Sequence, residues 1–150
     1  MVENSLVNEL KELISNGAAT ANADDVLKSF ELINQISEEV DYLKSDVEES
    51  NFSCQMVFSD IGKEYWIKFN NGKIEYDRGK LDHPSITLTA SKDIGLGLLF
   101  GEKDANIMTP LGKLKVEGEF SSLRLFQELY EDVIDEFKKN ISFLKKNKKY

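Results

Sequence analysis

Residues 101–120 read GEKDANIMTPLGKLKVEGEF, and the changes of pattern within this stretch decide the fold. Asp104 can cap a short apolar helix, which Pro110 should end. After a glycine, Leu114 and Val116 alternate with charged residues, as in a strand with one buried face. A second glycine then precedes a long segment with helical periodicity. The stretch therefore predicts the junction at which a sheet meets a helix that lies on an apolar surface.

Four segments upstream show the same period of two, which is typical of strands. Their apolar residues are Phe52, Cys54, Met56 and Phe58; Tyr65, Ile67 and Phe69; Ile74 and Tyr76; and Ile86, Leu88 and Ala90. Asn71-Gly72 predicts a two-residue hairpin, because both residues tolerate a positive φ. Five such strands indicate an antiparallel or mixed sheet that helices cover on one side. Trp66 lies on the nominally polar face and should mark a second contact, for which the N-terminal helices are one candidate.

Helical periodicity marks both ends of the chain. Its apolar positions are Leu6, Leu10, Leu13 and Ile14 in the first helix, and Leu123, Phe126, Tyr130, Val133, Ile134, Phe137, Ile141 and Leu144 in the last. The segment from Asp24 to Val47 is predicted to be one continuous helix of about six turns. Its apolar stripe should lie on the sheet of the same chain. Contact with a second copy in a homodimer is the alternative.

A shorter helix should begin at Ser91, with Asp93 in its first turn. Gly95 and Gly97 lie inside this helix, where each costs about 1 kcal/mol relative to alanine. The two glycines therefore indicate either close packing against the backbone or a need for mobility.

Composition and charge place this chain of 150 residues among soluble globular proteins. Hydrophobic residues make up 41% and charged residues 31% of the sequence, which argues against wholesale disorder. No run approaches the roughly 18 apolar residues that a membrane-spanning helix requires. The net charge of −8 argues against a general nucleic-acid binder. The N-terminus does not resemble a secretory signal, and Cys54 is the single cysteine, so we expect a cytoplasmic location.

The positive charge is concentrated at the C-terminal end, since residues 138–150 contain six lysines and no acidic residue. Lysines near the end of a helix oppose the negative pole of its dipole and keep an apolar helix soluble. Transient contact with anionic membrane lipids, worth about 1 kcal/mol per lysine, is the alternative. The lysines that would make this contact are Lys145, Lys146, Lys148 and Lys149.

No cluster of residues predicts catalysis. His83 is the only histidine and should lie in a solvent-exposed loop, without the partners that a metal site or a catalytic triad requires. Cys54 lies on the apolar side of a strand, where it should act as a small buried hydrophobic residue. Gly95, Gly97 and Gly101 do not match the spacing of a dinucleotide-binding loop. We therefore expect no enzymatic activity, no metal and no cofactor.

Several motifs follow one another in order between residues 52 and 137. They are Tyr65-Trp66-Ile67 before a glycine hairpin, Ser85-Ile86-Thr87-Leu88-Thr89 leading into Ser91-x-Asp93, Gly101-x-Lys103-Asp104, and Gly112-Lys113-Leu114-Lys115-Val116-Glu117-Gly118. Together the motifs resemble the sterol carrier protein domain, also called the nonspecific lipid-transfer domain. Pro110 and Leu111 depart from that family, which commonly has a phenylalanine-methionine pair there.

The resemblance implies an α+β fold in which helices cover one face of a curved, mostly antiparallel five-stranded sheet. We expect one such domain over residues 1–150. Its parts would be N-terminal helices in residues 1–50, the family core in residues 51–137 and a lysine-rich tail in residues 138–150.

The resemblance also implies an apolar tunnel between sheet and helices, which would bind and transfer a fatty acid, a fatty acyl-CoA, a sterol or an isoprenoid-like lipid. The predicted lining is Ile94, Leu98, Ile107, Met108, Leu111, Leu114, Val116, Phe126 and Leu129. The alternative is an accessory protein-interaction module with the same fold and a filled core. Periodicity does not separate these hypotheses, because core residues and lining residues have the same apolar character.

Overall fold

A computed structural model describes the backbone of residues 2–147 and the side chains of residues 2–139. The helices are α1 (Asn4–Asn16), α2 (Val26–Glu39), α3 (Asp41–Glu48), α4 (Lys92–Phe100), α5 (Ala105–Met108) and α6 (Phe120–Asn147). The strands are β1 (Asn51–Phe58), β2 (Lys63–Asn70), β3 (Lys73–Arg78), β4 (Ile86–Ala90) and β5 (Leu114–Gly118). Two short 3-10 helices, Ala18–Thr20 and Ala23–Asp25, connect α1 to α2.

The five strands form one sheet in the order β3-β2-β1-β4-β5. Three of the four neighbouring pairs are antiparallel, and the central pair of β1 and β4 is parallel. In that pair Cys54 lies beside Ile86 and Met56 beside Leu88. The predicted α+β class and the five-stranded, mostly antiparallel sheet are confirmed, and the sheet is mixed rather than wholly antiparallel.

One face of the sheet carries the alternating apolar residues and forms a single core with the helices. Its buried members include Cys54, Phe58, Ile67, Phe69 and Ile86. Burial raises the pKa of the Cys54 thiol, which is therefore protonated and acts as the predicted small hydrophobic residue.

The opposite face of the sheet is covered along β1 by the loop of residues 79–85. The buried side chain of Gln55 accepts a hydrogen bond from the Leu81 backbone N–H at 2.9 Å and donates one to the Gly79 carbonyl at 2.8 Å. Trp66 is the cross-strand partner of Gln55 and so lies on this face. The expected contact of Trp66 with the N-terminal helices is wrong, because α2 packs on the other face, where Tyr76 donates a hydrogen bond to Glu31 at 2.7 Å.

The single long helix predicted from Asp24 to Val47 is also wrong, because the chain breaks at Val40. Val40 has an extended backbone, with φ −103° and ψ 113°, between α2 and α3. A continuous helix over this range would be about 36 Å long, whereas a strand of the length of β1 spans about 27 Å. The break turns Leu43 back onto the core, where it is fully buried and α3 packs against α6.

Close packing explains both glycines of α4. A Cβ atom on Gly95 would lie 2.4 Å from Cε1 of Phe58, so the ring occupies the space that a side chain would need. A Cβ atom on Gly97 would lie 2.6 Å from Cγ of Lys103. The helix begins as predicted, since the Ser91 hydroxyl accepts a hydrogen bond from the Ile94 N–H at 3.3 Å.

Candidate apolar ligand site

Aromatic rings fill the space between the sheet and α6. Phe52 of β1 stacks on Phe69 of β2 with ring centroids 4.7 Å apart. Phe126 of α6 lies 6.2 Å from each of these two rings and 5.2 Å from Tyr130. Burial raises the pKa of the Tyr130 hydroxyl, with a smaller contribution from the neighbouring carboxylate of Glu131, so the side chain is neutral at physiological pH. The four rings therefore form a solid apolar layer at this level of the core.

A small cavity lies deeper, between α1, α2, α4 and α6. Its walls include Leu10, Ile33, Phe100 and Tyr130, and its volume is about 10 Å³. Such a volume accommodates about one water-sized sphere, whereas ligand pockets usually measure about 300–1,000 Å³. A lipid chain therefore needs space elsewhere or a rearrangement of the core.

A larger cleft of about 390 Å³ lies between α5 and the first turns of α6, and we call it the α5–α6 groove. Its lining comprises Asn106, Phe120, Leu123, Arg124, Gln127, Glu128 and Glu131. Phe120 and Leu123 supply its apolar surface, and Gln127 donates a hydrogen bond to Glu131 at 3.1 Å along the polar side. The groove thus combines an apolar wall with a polar rim, as binding sites for small amphiphilic molecules do.

Exposed apolar side chains are concentrated in the part of the sequence that forms α5 and the start of α6, and one of them, Phe120, lines the α5–α6 groove. Among the described side chains, four of the six large apolar ones that are exposed fall between residues 107 and 125. They are Phe120 at 73%, Leu111 at 60%, Ile107 at 55% and Leu125 at 48% exposure. Single exposed apolar residues are ordinary on protein surfaces. Phe120 differs from the other three because it also forms part of the wall of a cleft.

The helix α5 is a single turn that separates the α5–α6 groove from the core. Asp104 caps it as predicted, accepting a hydrogen bond from the Asn106 N–H at 2.8 Å. Ala105 and Met108 are its buried residues, and Asn106 and Ile107 face outward. Because α5 has only two buried side chains, few apolar contacts hold it in place.

The nine predicted lining residues take three kinds of position. Five are buried in the common core: Leu98, Met108, Leu114, Phe126 and Leu129. Ile94 and Val116 are half-buried against that core, and Ile107 and Leu111 are exposed. Seven of the nine residues therefore belong to the hydrophobic core or pack against it, and the other two lie on the surface in and after α5.

Two residues of the α5–α6 groove, Phe120 and Leu123, are absent from the predicted lining. Leu123 belongs to the apolar stripe of α6, but Phe120 begins that helix and is exposed. The sequence does contain a signal for Phe120. This large apolar residue directly follows Gly118-Glu119 and does not belong to the apolar stripe that faces the core.

Residues considered for chemistry do not come together. His83 is exposed in the loop before β4, and Cys54 is fully buried in β1. Among the described residues, no three His, Cys, Asp or Glu side chains are grouped so that they could hold a metal ion. No described helix is both long enough and apolar enough to cross a membrane. The side chains of Lys145, Lys146, Lys148 and Lys149 lie outside the described residues.

Comparison with known proteins gives one family and several structures. The family model described as alkyl sulfatase C-terminal matches residues 11–140 of this chain. The search of curated proteins found no match.

The matching structures include proteins that carry the sterol carrier name. The sterol carrier protein domain 2 of Helicoverpa armigera is 17% identical, with 77% of this chain and 94% of that chain covered and a TM-score of 0.59. The ubiquinone synthesis protein UbiJ-SCP2 is 15% identical, with 69% and 90% covered and a TM-score of 0.58. These similarities confirm the sterol carrier protein fold.

The third structure is much larger than this chain. The stereoselective inverting sec-alkylsulfatase Pisa1 from Pseudomonas sp. is 17% identical, with 57% of this chain covered and a TM-score of 0.52. This chain spans only 14% of the alkylsulfatase. The similarity is therefore one of fold over a small part of that enzyme.

Proposed function

Since this chain belongs to the alkyl sulfatase C-terminal family and has the sterol carrier protein fold, we propose that it binds an apolar, lipid-like ligand without transforming it. The observation that carries the proposal is the α5–α6 groove, whose apolar wall consists of Leu123 and the highly exposed Phe120. The names of proteins with similar structures refer to a sterol, to ubiquinone synthesis and to sec-alkyl sulfates, which all involve an apolar molecule.

Binding begins with the ligand chain lying in the α5–α6 groove against Phe120 and Leu123. Each methylene removed from water contributes about 0.8 kcal/mol, so affinity grows with chain length and depends little on the head group. A longer chain displaces α5 and reaches the buried surface of Met108 and Leu114 behind it. The rim carries Glu128 and Glu131 against one cation, Arg124, so an anionic head group such as a carboxylate stays in solvent outside the groove while its chain is bound.

A second candidate function is an accessory protein-interaction module, and the filled aromatic core favours it. Phe52, Phe69, Phe126 and Tyr130 leave no tunnel-sized space between themselves in this conformation. The exposed side chains of Ile107, Leu111 and Phe120 would then contact a protein partner. The two functions differ in whether the isolated chain binds a free lipid.

Extraction of lipids from the native protein, followed by mass spectrometry, tests the proposed function. Titration of the delipidated protein with the fluorescent fatty acid cis-parinaric acid gives the affinity. We expect a co-purified lipid and saturable binding. If no lipid co-purified and no saturable binding were measured, the carrier function would be overturned and the interaction module would be favoured.

Phe120→Ser should weaken binding of cis-parinaric acid by about tenfold or more. Burial of a phenylalanine side chain contributes about 1.5–3 kcal/mol, and 1.4 kcal/mol corresponds to a factor of ten in Kd. Ile61→Ser is the matched control, because Ile61 is also an exposed apolar residue but lies at the β1–β2 turn. Equal losses of affinity in the two variants would show that the ligand does not use the α5–α6 groove.

A further inference from the structure

A second cleft, of about 680 Å³, lies where the carboxyl ends of β1 and β4 meet the start of α4. Three lysines line it, Lys103, Lys113 and Lys115, and we call it the lysine cleft. The hydroxyl-bearing residues Ser59 and Thr89 line it as well. The cleft therefore collects positive charge and hydrogen-bond donors in a chain whose net charge is −8.

Little of this positive charge is neutralised by the protein itself. Lys115 pairs with Glu117 at 2.8 Å, a contact that raises the pKa of the lysine and keeps it charged. Asp93, the one acidic residue of the lining, pairs with Lys92 at 3.2 Å. Among the described residues, neither Lys103 nor Lys113 has an ion-pair partner.

The position of Lys103 depends on a glycine. The aliphatic part of its side chain lies on the backbone of α4 at Gly97, where an added Cβ would approach the Lys103 Cγ to 2.6 Å. A side chain packed in this way has fewer conformations open to it than a free surface lysine. The packed stem thus keeps the side chain of Lys103 at the edge of the lysine cleft, which it lines.

The other two lysines lie at the start of β5: Lys115 belongs to the strand and Lys113 directly precedes it. Both line the cleft, and two residues of extended chain span at most about 7 Å. Lys115 is the cross-strand partner of Thr89. Like charges at this distance repel each other in the absence of an anion, and an anion between them removes that cost.

We infer that the lysine cleft binds a phosphate or sulfate group carried by a larger molecule. Ammonium groups and hydroxyls are suitable donors for the oxygens of such a group. The volume of the cleft falls in the range of small-molecule sites and exceeds the needs of a free oxyanion. Lys113 and Lys115 are exposed, whereas Leu114 between them is buried in the core. Since the two lysines lie outside the core, the inference does not depend on an apolar ligand binding there.

Titration of the isotopically labelled protein with phenyl phosphate, followed through its amide NMR signals, tests this inference. Inorganic phosphate and benzyl alcohol serve as the two comparison ligands. We expect saturable shifts at residues 89–94, 103 and 112–115 with phenyl phosphate, weaker binding of inorganic phosphate and no comparable shifts with benzyl alcohol. Shifts spread evenly over the surface, or equal binding of inorganic phosphate, would overturn the inference of a carried group.

Two triple variants with the same net charge separate a site from a general charge effect. In the first, Lys103, Lys113 and Lys115 are replaced by glutamine; in the second, the exposed residues Lys44, Lys68 and Lys80 are replaced. The first should weaken phenyl phosphate binding at least about tenfold, because charge-assisted contacts are lost. The second should change it less than about twofold. Similar losses of affinity in both variants would contradict a specific site in the lysine cleft. The single variant Lys113→Gln repeats the test with minimal change to the fold.

Discussion

Phe126→Ala should lower the free energy of unfolding by about 3–5 kcal/mol. Phe126 is fully buried and contacts the rings of Phe52, Phe69 and Tyr130, so its removal leaves a cavity where α6 meets the sheet. The loss is large against a typical total stability of about 5–15 kcal/mol. Urea denaturation followed by circular dichroism measures it.

The neighbouring residue gives the control for this prediction. Leu125 is also an apolar residue of α6, but it is 48% exposed. Leu125→Ala should therefore change the free energy of unfolding by less than about 0.5 kcal/mol. If Phe126→Ala were equally mild, the aromatic layer would not stabilise the fold, and the packed core described above would be incorrect.

Gly118→Ala should destabilise the protein by about 2–5 kcal/mol, because strain and a clash add together. Gly118 joins β5 to α6 with φ +106°, a conformation that alanine adopts only at a cost. An added Cβ would also lie 2.2 Å from the carbonyl oxygen of Ser85, which cannot move aside easily because it accepts a backbone hydrogen bond from the Glu119 N–H at 3.0 Å. The same junction places Phe120 at the α5–α6 groove, so we expect ligand binding to weaken as well.

Gly112→Ala separates the strain from the clash. Gly112 also has a positive φ, +74°, but no atom lies within 4 Å of an added Cβ. This variant should lose only the cost of the left-handed backbone, about 1–2 kcal/mol. Equal destabilisation of the two variants in urea denaturation would show that the approach of Gly118 to Ser85 is not important.

The strands were predictable because apolar side chains recur at every second position, even in β1, where residues of both faces are buried. Phe52, Cys54, Met56 and Phe58 all face the core, and each of the other strands follows the same rule. Alternation does not identify the neighbour of a strand, so the parallel pairing of β1 with β4 could not be predicted. That pairing depends on where the loop of residues 79–85 crosses the sheet.

The break at Val40 could not be predicted for a related reason. The apolar stripe continues through Val40 to Leu43 and Val47, and nothing in the local sequence opposes a helix there. The break brings α3 back against α2 and α6, which is a property of the tertiary structure. Trp66 shows the same dependence, because it lies on the face of the sheet where residues 79–81 bind its cross-strand neighbour Gln55.

The predicted site residues show that apolar character alone does not predict whether a side chain is buried. Phe126 and Ile107 look alike in an apolar pattern, yet one is completely buried and the other is 55% exposed. The difference depends on which element packs above each residue. For this reason the sequence led to the correct fold, while the α5–α6 groove and its Phe120 became visible only in the structure.

A titration with a fatty acid that carries a nitroxide spin label tests the central claim most directly, because it reports binding and location together. If an apolar chain occupies the α5–α6 groove, the amide NMR signals of residues 105–108 and 120–131 lose intensity as ligand is added. Reduction of the nitroxide with ascorbate then restores them. Full intensity at these residues throughout the titration, or losses confined to the outer face of the sheet, would contradict the proposed site.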